Sequence, residues 1–252
     1  MVFLMTVACA SAVWANDGVT LTSIDQVPDG VEVRGKQIGA YTWSDQQGTN
    51  LLVLAEQVRE RDDDGTQSAF VYAAQYLLDG DRPKRVWMLY DDVQHCEFDA
   101  GAHFNTDATR VTDLLGDGIS QVTVGYSRAC TSDVSPNDFK LIMHAGKSQK
   151  YRLRGVDRSG ASWWDEEAGA LQSMPLPKDC SIAAQQALVS QYKEQGTELP
   201  LPGCYGDEQD FAKAPKPFLD FMRQHWFAVM QKQDADSAQL QTQTQDRTDD
   251  QE

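Results

Sequence analysis

One loop of the chain combines aspartate and glycine residues at a spacing that is typical of calcium-binding turns. If Asp113 is the first position, Asp117 occupies the fifth and the Ile119 carbonyl the seventh, and both supply oxygen ligands in such turns. Leu115 stands at the third position and Gln121 at the ninth, where further oxygen ligands are expected. Calcium takes about six to eight oxygens. We therefore predict a turn whose Asp side chains accept hydrogen bonds from backbone amides, with a weak calcium site as the alternative.

A run of basic residues stands out against the acidic background. Lys150, Arg152 and Arg154 alternate, so in a strand their side chains share one face, opposite Tyr151 and Leu153. The expected role is a solvent-exposed face whose charges are paired with nearby carboxylates. The functional alternative is a cleft for an acidic glycan or a phosphate group, because the Arg guanidinium forms paired hydrogen bonds with such oxyanions.

Two further groups of residues are candidates for ligand contacts. Arg128 and Asp133 flank Cys130, and a disulfide there would hold both rigidly, although structural ion pairing is their expected use. Trp163 and Trp164 precede two carboxylates, and these residue types stack on sugar rings and bind sugar hydroxyl groups. Adjacent residues of a strand point to opposite faces, so at most one of the two tryptophans faces a ligand. Core packing is the expected alternative for them.

The cysteines and the first residues indicate export. Residues 1–15 form a short apolar run that ends in small residues, which predicts a signal peptide, since about 20 apolar residues are needed to span a bilayer. Four cysteines follow, an even number that favours disulfides in an exported chain. Three pairings are open, and closeness in sequence favours Cys96–Cys130 and Cys180–Cys204. We therefore expect a periplasmic protein with two disulfide bonds.

The net charge of −16 argues against two classes of partner. Nucleic acids and anionic membrane surfaces both require a basic footprint, so neither is expected to bind this chain. The acidity mainly secures solubility. We predict no transmembrane segment and no cofactor apart from the alternative calcium ion, and nothing in the sequence indicates the oligomeric state.

Hydrophobic patterning predicts a β-rich body over residues 16–175. Apolar runs at 51–58, 69–78 and 86–90 are separated by Asp-Gly turns, which are the strongest short signal for β-hairpins. Both faces of the second run are apolar, which predicts a sheet that is covered on both sides or closed on itself. At least seven strands fit before Gly155, as antiparallel meanders in a sandwich or a partial propeller.

The carboxyl-terminal part has helical patterning. A helix is predicted over 182–194 and a stronger one over 217–231, where the apolar residues form a single stripe. We expect residues 176–231 to form a helical part packed on the sheet, so that the fold is mainly β, in the α+β class. From 232 to 252 the composition turns to Gln, Asp and Thr, which predicts a disordered acidic tail.

Five short motifs follow one another within about a fifth of the chain. They are Asp113-Leu114-Leu115-Gly116-Asp117-Gly118, Val122-Thr123-Val124, Cys130 with Asp133-Val134-Ser135-Pro136, Leu141-Ile142-Met143, and Tyr151-Arg152-Leu153-Arg154-Gly155. This series resembles a family of uncharacterised exported bacterial proteins, some of which carry the label of surface polysaccharide biosynthesis. The resemblance implies a location in the cell envelope and brings no catalytic residues with it.

Together these features predict a periplasmic protein of a Gram-negative bacterium with a non-catalytic role. That role is to bind or support envelope material, with acidic glycans as one candidate ligand. The second hypothesis is a hydrolase or transferase that acts on cell-wall or surface polysaccharide, and the third is a structural or protein-interaction module. An enzyme should show a concave pocket in which titratable groups with shifted pKa values converge. A glycan binder should show an open groove lined by Trp and Arg.

Overall fold

The computed structural model describes residues 19–78, 80, 82–132, 136–159, 161–165, 167–191 and 199–249. Within these residues the chain forms eleven strands and two α-helices, and strands dominate. The mainly β fold class with a carboxyl-terminal helix is therefore confirmed. The predicted signal peptide and Asp133 lie outside the described residues.

The first five strands form one antiparallel sheet in chain order. They are β1 (Thr22–Ser23), β2 (Lys36–Asp45), β3 (Gly48–Val58), β4 (Gln67–Leu77) and β5 (Lys84–Cys96). The predicted apolar runs fall in β3, β4 and β5. Gly65 has a φ of +81° in the turn between β3 and β4, a conformation that favours glycine over other residues.

The next four strands form a second antiparallel meander, followed by a hairpin and the helical part. The strands are β6 (Asp99–Thr112), β7 (Gln121–Thr131), β8 (Asp138–Ala145) and β9 (Gln149–Val156), with β10 (Ser162–Asp165) and β11 (Ala170–Ser173) in the hairpin. The helices are α1 (Ile182–Gln191), a short 3-10 helix (Gln209–Phe211) and α2 (Lys216–Asp249). Gly146 lies in the turn between β8 and β9 and has a φ of +64°.

The two sheets pack face to face as a sandwich around the main core. Leu52 and Leu54 of β3, Val71 of β4, and Val122 and Val124 of β7 point inwards and are fully buried. Alternate residues of β3 and β4 point to the other face of the first sheet, where a second core lies under the segment between β1 and β2. The prediction that this sheet is covered on both sides is confirmed.

The helix predicted at 217–231 packs on the sheet, as expected. Phe218, Met222 and Trp226 of α2 are buried against the outer face of the second sheet, together with Phe139 of β8. The Trp226 and Phe139 rings meet edge to face with centroids 5.2 Å apart. The indole N–H of Trp226 donates to the Gly203 carbonyl at 2.8 Å, so the one polar atom of this side chain is satisfied inside the core.

The structure differs from the predicted disordered tail, because α2 continues past residue 232 to Asp249. Lys232 pairs with Asp236 one turn further along the helix, at 3.3 Å. Asp234 pairs with Arg158 at 2.6 Å. Low apolar content indicates that a segment has no core of its own, but it does not prevent a helix from extending. The docked half of α2 has already formed the costly first turn, and Gln and Ala are good helix formers.

Two disulfides pair the cysteines as closeness in sequence predicted. Cys96–Cys130 joins the end of β5 to β7 and thus links the two sheets covalently. Cys180–Cys204 joins the segment before α1 to the segment that precedes the 3-10 helix. Structural disulfides are typical of proteins that fold outside the cytoplasm. Among the helices described, none is long and apolar enough to cross a membrane.

Candidate functional site

The basic residues of β9 lie on the face of the second sheet that is turned towards the first sheet. In the β8–β9 register Arg152 is opposite Ile142, a core residue, and Arg154 is opposite Lys140. Cross-strand neighbours share a face. β9 is the last strand of its sheet, and its residues Lys150 and Arg154 are exposed. We call Lys140, Lys150, Arg152 and Arg154 the cationic row.

Core packing on the opposite face directs these side chains. Leu153 is fully buried under α2, and Tyr151 packs against the same core. The Tyr151 ring stacks on Phe211 with centroids 5.5 Å apart. The alternation predicted for β9 is therefore confirmed, and it turns the charged side chains away from α2.

A carboxylate on the first sheet, Asp91 of β5, contacts one end of the cationic row. Its Oδ2 accepts hydrogen bonds from the Tyr126 hydroxyl at 2.6 Å and from Lys140 Nζ, and its Oδ1 accepts one from Arg128 Nη1 at 2.9 Å. The side chains of Asp91 and Lys140 are only 20% and 16% exposed. We call these four residues the Asp91 centre. They connect the two sheets through charged hydrogen bonds.

The surroundings of the Asp91 centre keep its acid groups in their ordinary charge states. Burial raises the pKa of Asp91, but hydrogen bonds from Lys140 and Tyr126 and the charges of Lys140 and Arg128 outweigh it, so the pKa is lowered. Burial and the hydrogen bond to Asp91 raise the pKa of Tyr126. At neutral pH the carboxyl is therefore ionised and the phenol is protonated.

Arg128 forms ion pairs with two carboxylates of the described residues. Besides its bond to Asp91, it contacts Asp138 at 3.3 Å and donates to the Asp92 carbonyl at 3.0 Å. Asp133 lies outside the described residues. In the part of the chain that the structure describes, the buried Nε of Arg128 has no hydrogen-bond partner. The nearby disulfide of Cys130 holds this end of β7 against β5.

One carboxylate already occupies the middle of the cationic row. Asp210, in the 3-10 helix, accepts hydrogen bonds from Nε and Nη2 of Arg152 at 2.5 and 3.3 Å. A cavity of about 150 Å³ lies beside this contact and is lined by Arg152, Arg154, Asp207, Gln209 and Asp210. The hydrogen bond from Arg152 lowers the pKa of Asp210 most, and the charges of Arg152, Arg154 and Lys150 lower it further.

Lys150 and Arg154 flank that contact and remain open. Neither has a carboxylate of the described residues within ion-pairing distance, and both are exposed. Burial lowers the pKa of Lys150 most, and the positive charges of Arg152 and Arg154 lower it further, whereas the charge of Asp91 raises it.

The Asp-Gly loop uses its oxygens for hydrogen bonds within the loop. The Asp113 carboxylate accepts hydrogen bonds from the amides of Asp117 and Gly118 at 3.2 and 2.8 Å, and Asp117 accepts one from the amide of Ile119 at 3.0 Å. The Gln121 side chain donates to the Ile119 carbonyl at 2.9 Å. Within the described ranges, no group of three or more His, Cys, Asp or Glu side chains is placed to hold a metal. This geometry is that of the predicted turn, and the calcium alternative stays a prediction.

The two tryptophans lie on the β10–β11 hairpin. Trp163 is partly buried against a small core that contains Met174, Leu201 and Cys204, next to the second disulfide. Trp164 pairs with Leu171 across the hairpin. The contacts of Trp163 agree with the packing alternative for this residue.

A cleft of about 700 Å³ lies in the carboxyl-terminal part, between the segment before α1 and α2. Glu208 accepts two hydrogen bonds from Arg223, both at 2.6 Å, and one from the Tyr205 hydroxyl at 2.8 Å. The charges of Glu208 and Arg223 therefore neutralise each other. The cationic row differs from this cleft in that three cations line up along one strand face, and we regard it as the candidate site.

Sequence reasoning missed Asp91 and Asp210. The sequence pattern could have indicated Asp91. Trp87, Leu89 and Asp91 stand at alternate positions of one strand, so Asp91 places a carboxylate on an otherwise apolar inner face. Asp210 gives no such signal, because its contact with Arg152 joins residues 58 positions apart.

No protein-family model, no curated protein and no solved structure matches this chain. Its function has to be inferred from the chemistry of the site itself.

Proposed function

We propose that this protein binds acidic glycans of the bacterial envelope through the cationic row and performs no catalysis. The observation that carries the proposal is the pair of open cations, Lys150 and Arg154, on a chain with a net charge of −16. None of the described carboxylates pairs with these two cations, and they flank a third cation, Arg152, on the same face of β9. An anionic ligand would relieve the repulsion between the cations of β9.

The proposed location outside the cytoplasm is supported by the two disulfides, which oxidising compartments favour. The resemblance of residues 113–155 to exported envelope proteins supports a glycan as the source of the anionic groups. The disulfides and the resemblance support the location of the ligand outside the cytoplasm. The cationic row supports its negative charge.

The Asp91 centre supports binding over the alternative of a hydrolase or transferase. A general acid or base works best when its pKa lies near the working pH. The pKa of Asp91 is lowered and that of Tyr126 is raised, so both are shifted away from neutrality. The centre therefore suits a structural and electrostatic role.

The test is the binding of polygalacturonate, a polymer of uronic acids, to the wild type and to Lys150→Gln/Arg154→Gln. Each exposed ion pair is worth up to about 1 kcal/mol, so losing two should weaken binding by roughly 5- to 30-fold. Binding of the variant should also depend less on salt concentration, because fewer counterions are released. Isothermal titration calorimetry at two ionic strengths measures both effects.

The matched control is Lys36→Gln/Lys84→Gln, which removes the same charge from exposed positions of the first sheet. It should change the affinity by less than about 2-fold, since neither residue belongs to the cationic row and ions screen exposed charges that do not touch the ligand. Neutral dextran should not bind. The proposal would be refuted if the two double variants bound polygalacturonate with equal affinity. It would also be refuted if Lys150→Gln/Arg154→Gln bound it as tightly as the wild type does.

A further inference from the structure

Asp210 demonstrates how a carboxylate is held in the cationic row. Its two oxygens contact Nε and Nη2 of Arg152 side by side, the geometry in which a guanidinium holds a carboxylate. The side chains of Asp210 and Arg152 are 29% and 32% exposed, so the pair lies at the surface, where a ligand can reach it. The charges of Lys150 and Arg154 also act on this carboxylate.

The cations of β9 are evenly spaced. Alternate residues of a strand are about 7 Å apart, so Lys150 and Arg154 follow Arg152 at this distance on either side. The central cation holds a carboxylate, and neither flanking cation pairs with one from the described residues. An extended chain with negative groups along its length matches this arrangement better than a single small anion does.

We infer that the ligand is a linear polycarboxylate, such as a chain of uronic acids, which lies along β9 and displaces Asp210 from Arg152. This inference rests on the proposed function and specifies its ligand. Carboxylates of the chain contact Lys150 and Arg154 directly, and another takes the position of Asp210. The displaced side chain turns into solvent, while the backbone of its segment stays attached to β9 through the hydrogen bond from the Gly206 amide to the Arg154 carbonyl.

Competition with Asp210 favours a chain over a single carboxylate. Asp210 belongs to the same molecule as Arg152, so its effective concentration there is about millimolar or higher. A free monocarboxylate at a lower concentration cannot displace it. A polycarboxylate that has first bound Lys150 or Arg154 presents its next group at a similarly high effective concentration.

The test uses galacturonate as monomer, trimer and hexamer, titrated into the wild type and into Asp210→Asn. In the wild type the trimer should bind at least about 10-fold more tightly than the monomer. Asp210→Asn should bind each of them about 3- to 10-fold more tightly, because the internal competitor has lost its charge. The matched control Asp63→Asn makes the same change of net charge in the exposed turn between β3 and β4. It should change the affinity by less than about 2-fold.

Tighter binding by Asp210→Asn could come from the lost charge or from a loosened 3-10 helix. Asp210→Glu distinguishes these two causes, because it changes the side chain but keeps the carboxylate. It should bind like the wild type, and tighter binding would overturn the displacement of Asp210. Equal affinity for monomer and trimer, or no gain with Asp210→Asn, would also overturn the inference. A sulfated oligomer of equal length and charge that binds more tightly would overturn the carboxylate class.

The proposed function fails separately from this inference. It fails if no galacturonate polymer binds, or if Lys150→Gln/Arg154→Gln binds as the wild type does. The inference alone fails if that double variant binds more weakly than the wild type while chain length and Asp210→Asn have no effect.

Discussion

Replacing Asp91 with Asn should lower the free energy of unfolding by about 2–3 kcal/mol. The substitution keeps the shape of the side chain but leaves Arg128 and Lys140 without their shared counter-charge between the sheets. Removing one partner of a fully buried pair costs about 3–5 kcal/mol. The Asp91 and Lys140 side chains are 20% and 16% exposed, so solvent screening reduces that cost. The Asn carbonyl can still accept the hydrogen bond from Tyr126.

The assay is urea unfolding at neutral pH with both disulfides intact, followed by tryptophan fluorescence. Asp138→Asn is the matched control, because Asp138 contacts the same Arg128 at 3.3 Å but its side chain is 64% exposed. An exposed pair contributes at most about 1 kcal/mol. Equal losses in the two variants, or a loss below about 1 kcal/mol for Asp91→Asn, would refute the inferred role of the Asp91 centre.

The same comparison should depend on pH with a definite sign. The pKa of Asp91 is lower in the folded protein than in the unfolded chain, where it is about 3.9. Its stabilising contribution is therefore complete above that unfolded value and is lost as the pH falls through the folded one. The difference in stability between wild type and Asp91→Asn should accordingly be constant from pH 7 to about pH 5 and shrink below about pH 4. A difference that instead grows on acidification would contradict this reasoning.

Two further substitutions test the scaffold around the site. A Cβ on Gly155 would collide with the Cys204 carbonyl, so Gly155→Ala should lower the free energy of unfolding by about 3 kcal/mol. The control is Gly101→Ala, whose Cβ would meet its nearest atom at 3.6 Å. It should lower the stability by less than about 1 kcal/mol, and thermal unfolding measures both variants. Asp113→Ala removes the acceptor of two backbone amides and should cost about 1–2 kcal/mol, equally in calcium and in EDTA. A stabilisation by calcium that the wild type shows and Asp113→Ala lacks would instead indicate a bound metal.

Features that depend on neighbouring residues could be predicted well. The strands β3 and β4 follow from apolar runs, and the docking face of α2 follows from a stripe of apolar residues at helical spacing. The disulfides follow from closeness along the chain, because short loops close at the lowest entropic cost. The helical extension of α2 beyond residue 232 differs from the predicted disordered tail, because low apolar content does not prevent a helix that has already begun from extending.

The candidate site was only half predictable. Alternation placed Lys150, Arg152 and Arg154 on one face of a strand, but it could not tell which sheet neighbour or which carboxylate each would meet. Arg152 meets Asp210, and Arg128 meets Asp91 and Asp138. These contacts join segments that are distant in the chain.

Local patterns decide which residues of this protein share a strand face or a helix stripe, since both periodicities come from the geometry of a few consecutive peptide units. They also decide the charge of each face. The tertiary packing decides that β9 lies at the edge of its sheet, that Asp91 meets Lys140, and that Asp210 meets Arg152. Those outcomes depend on the packing of all the strands and α2 together, and a packed core of this kind is specified by contacts between residues far apart in sequence.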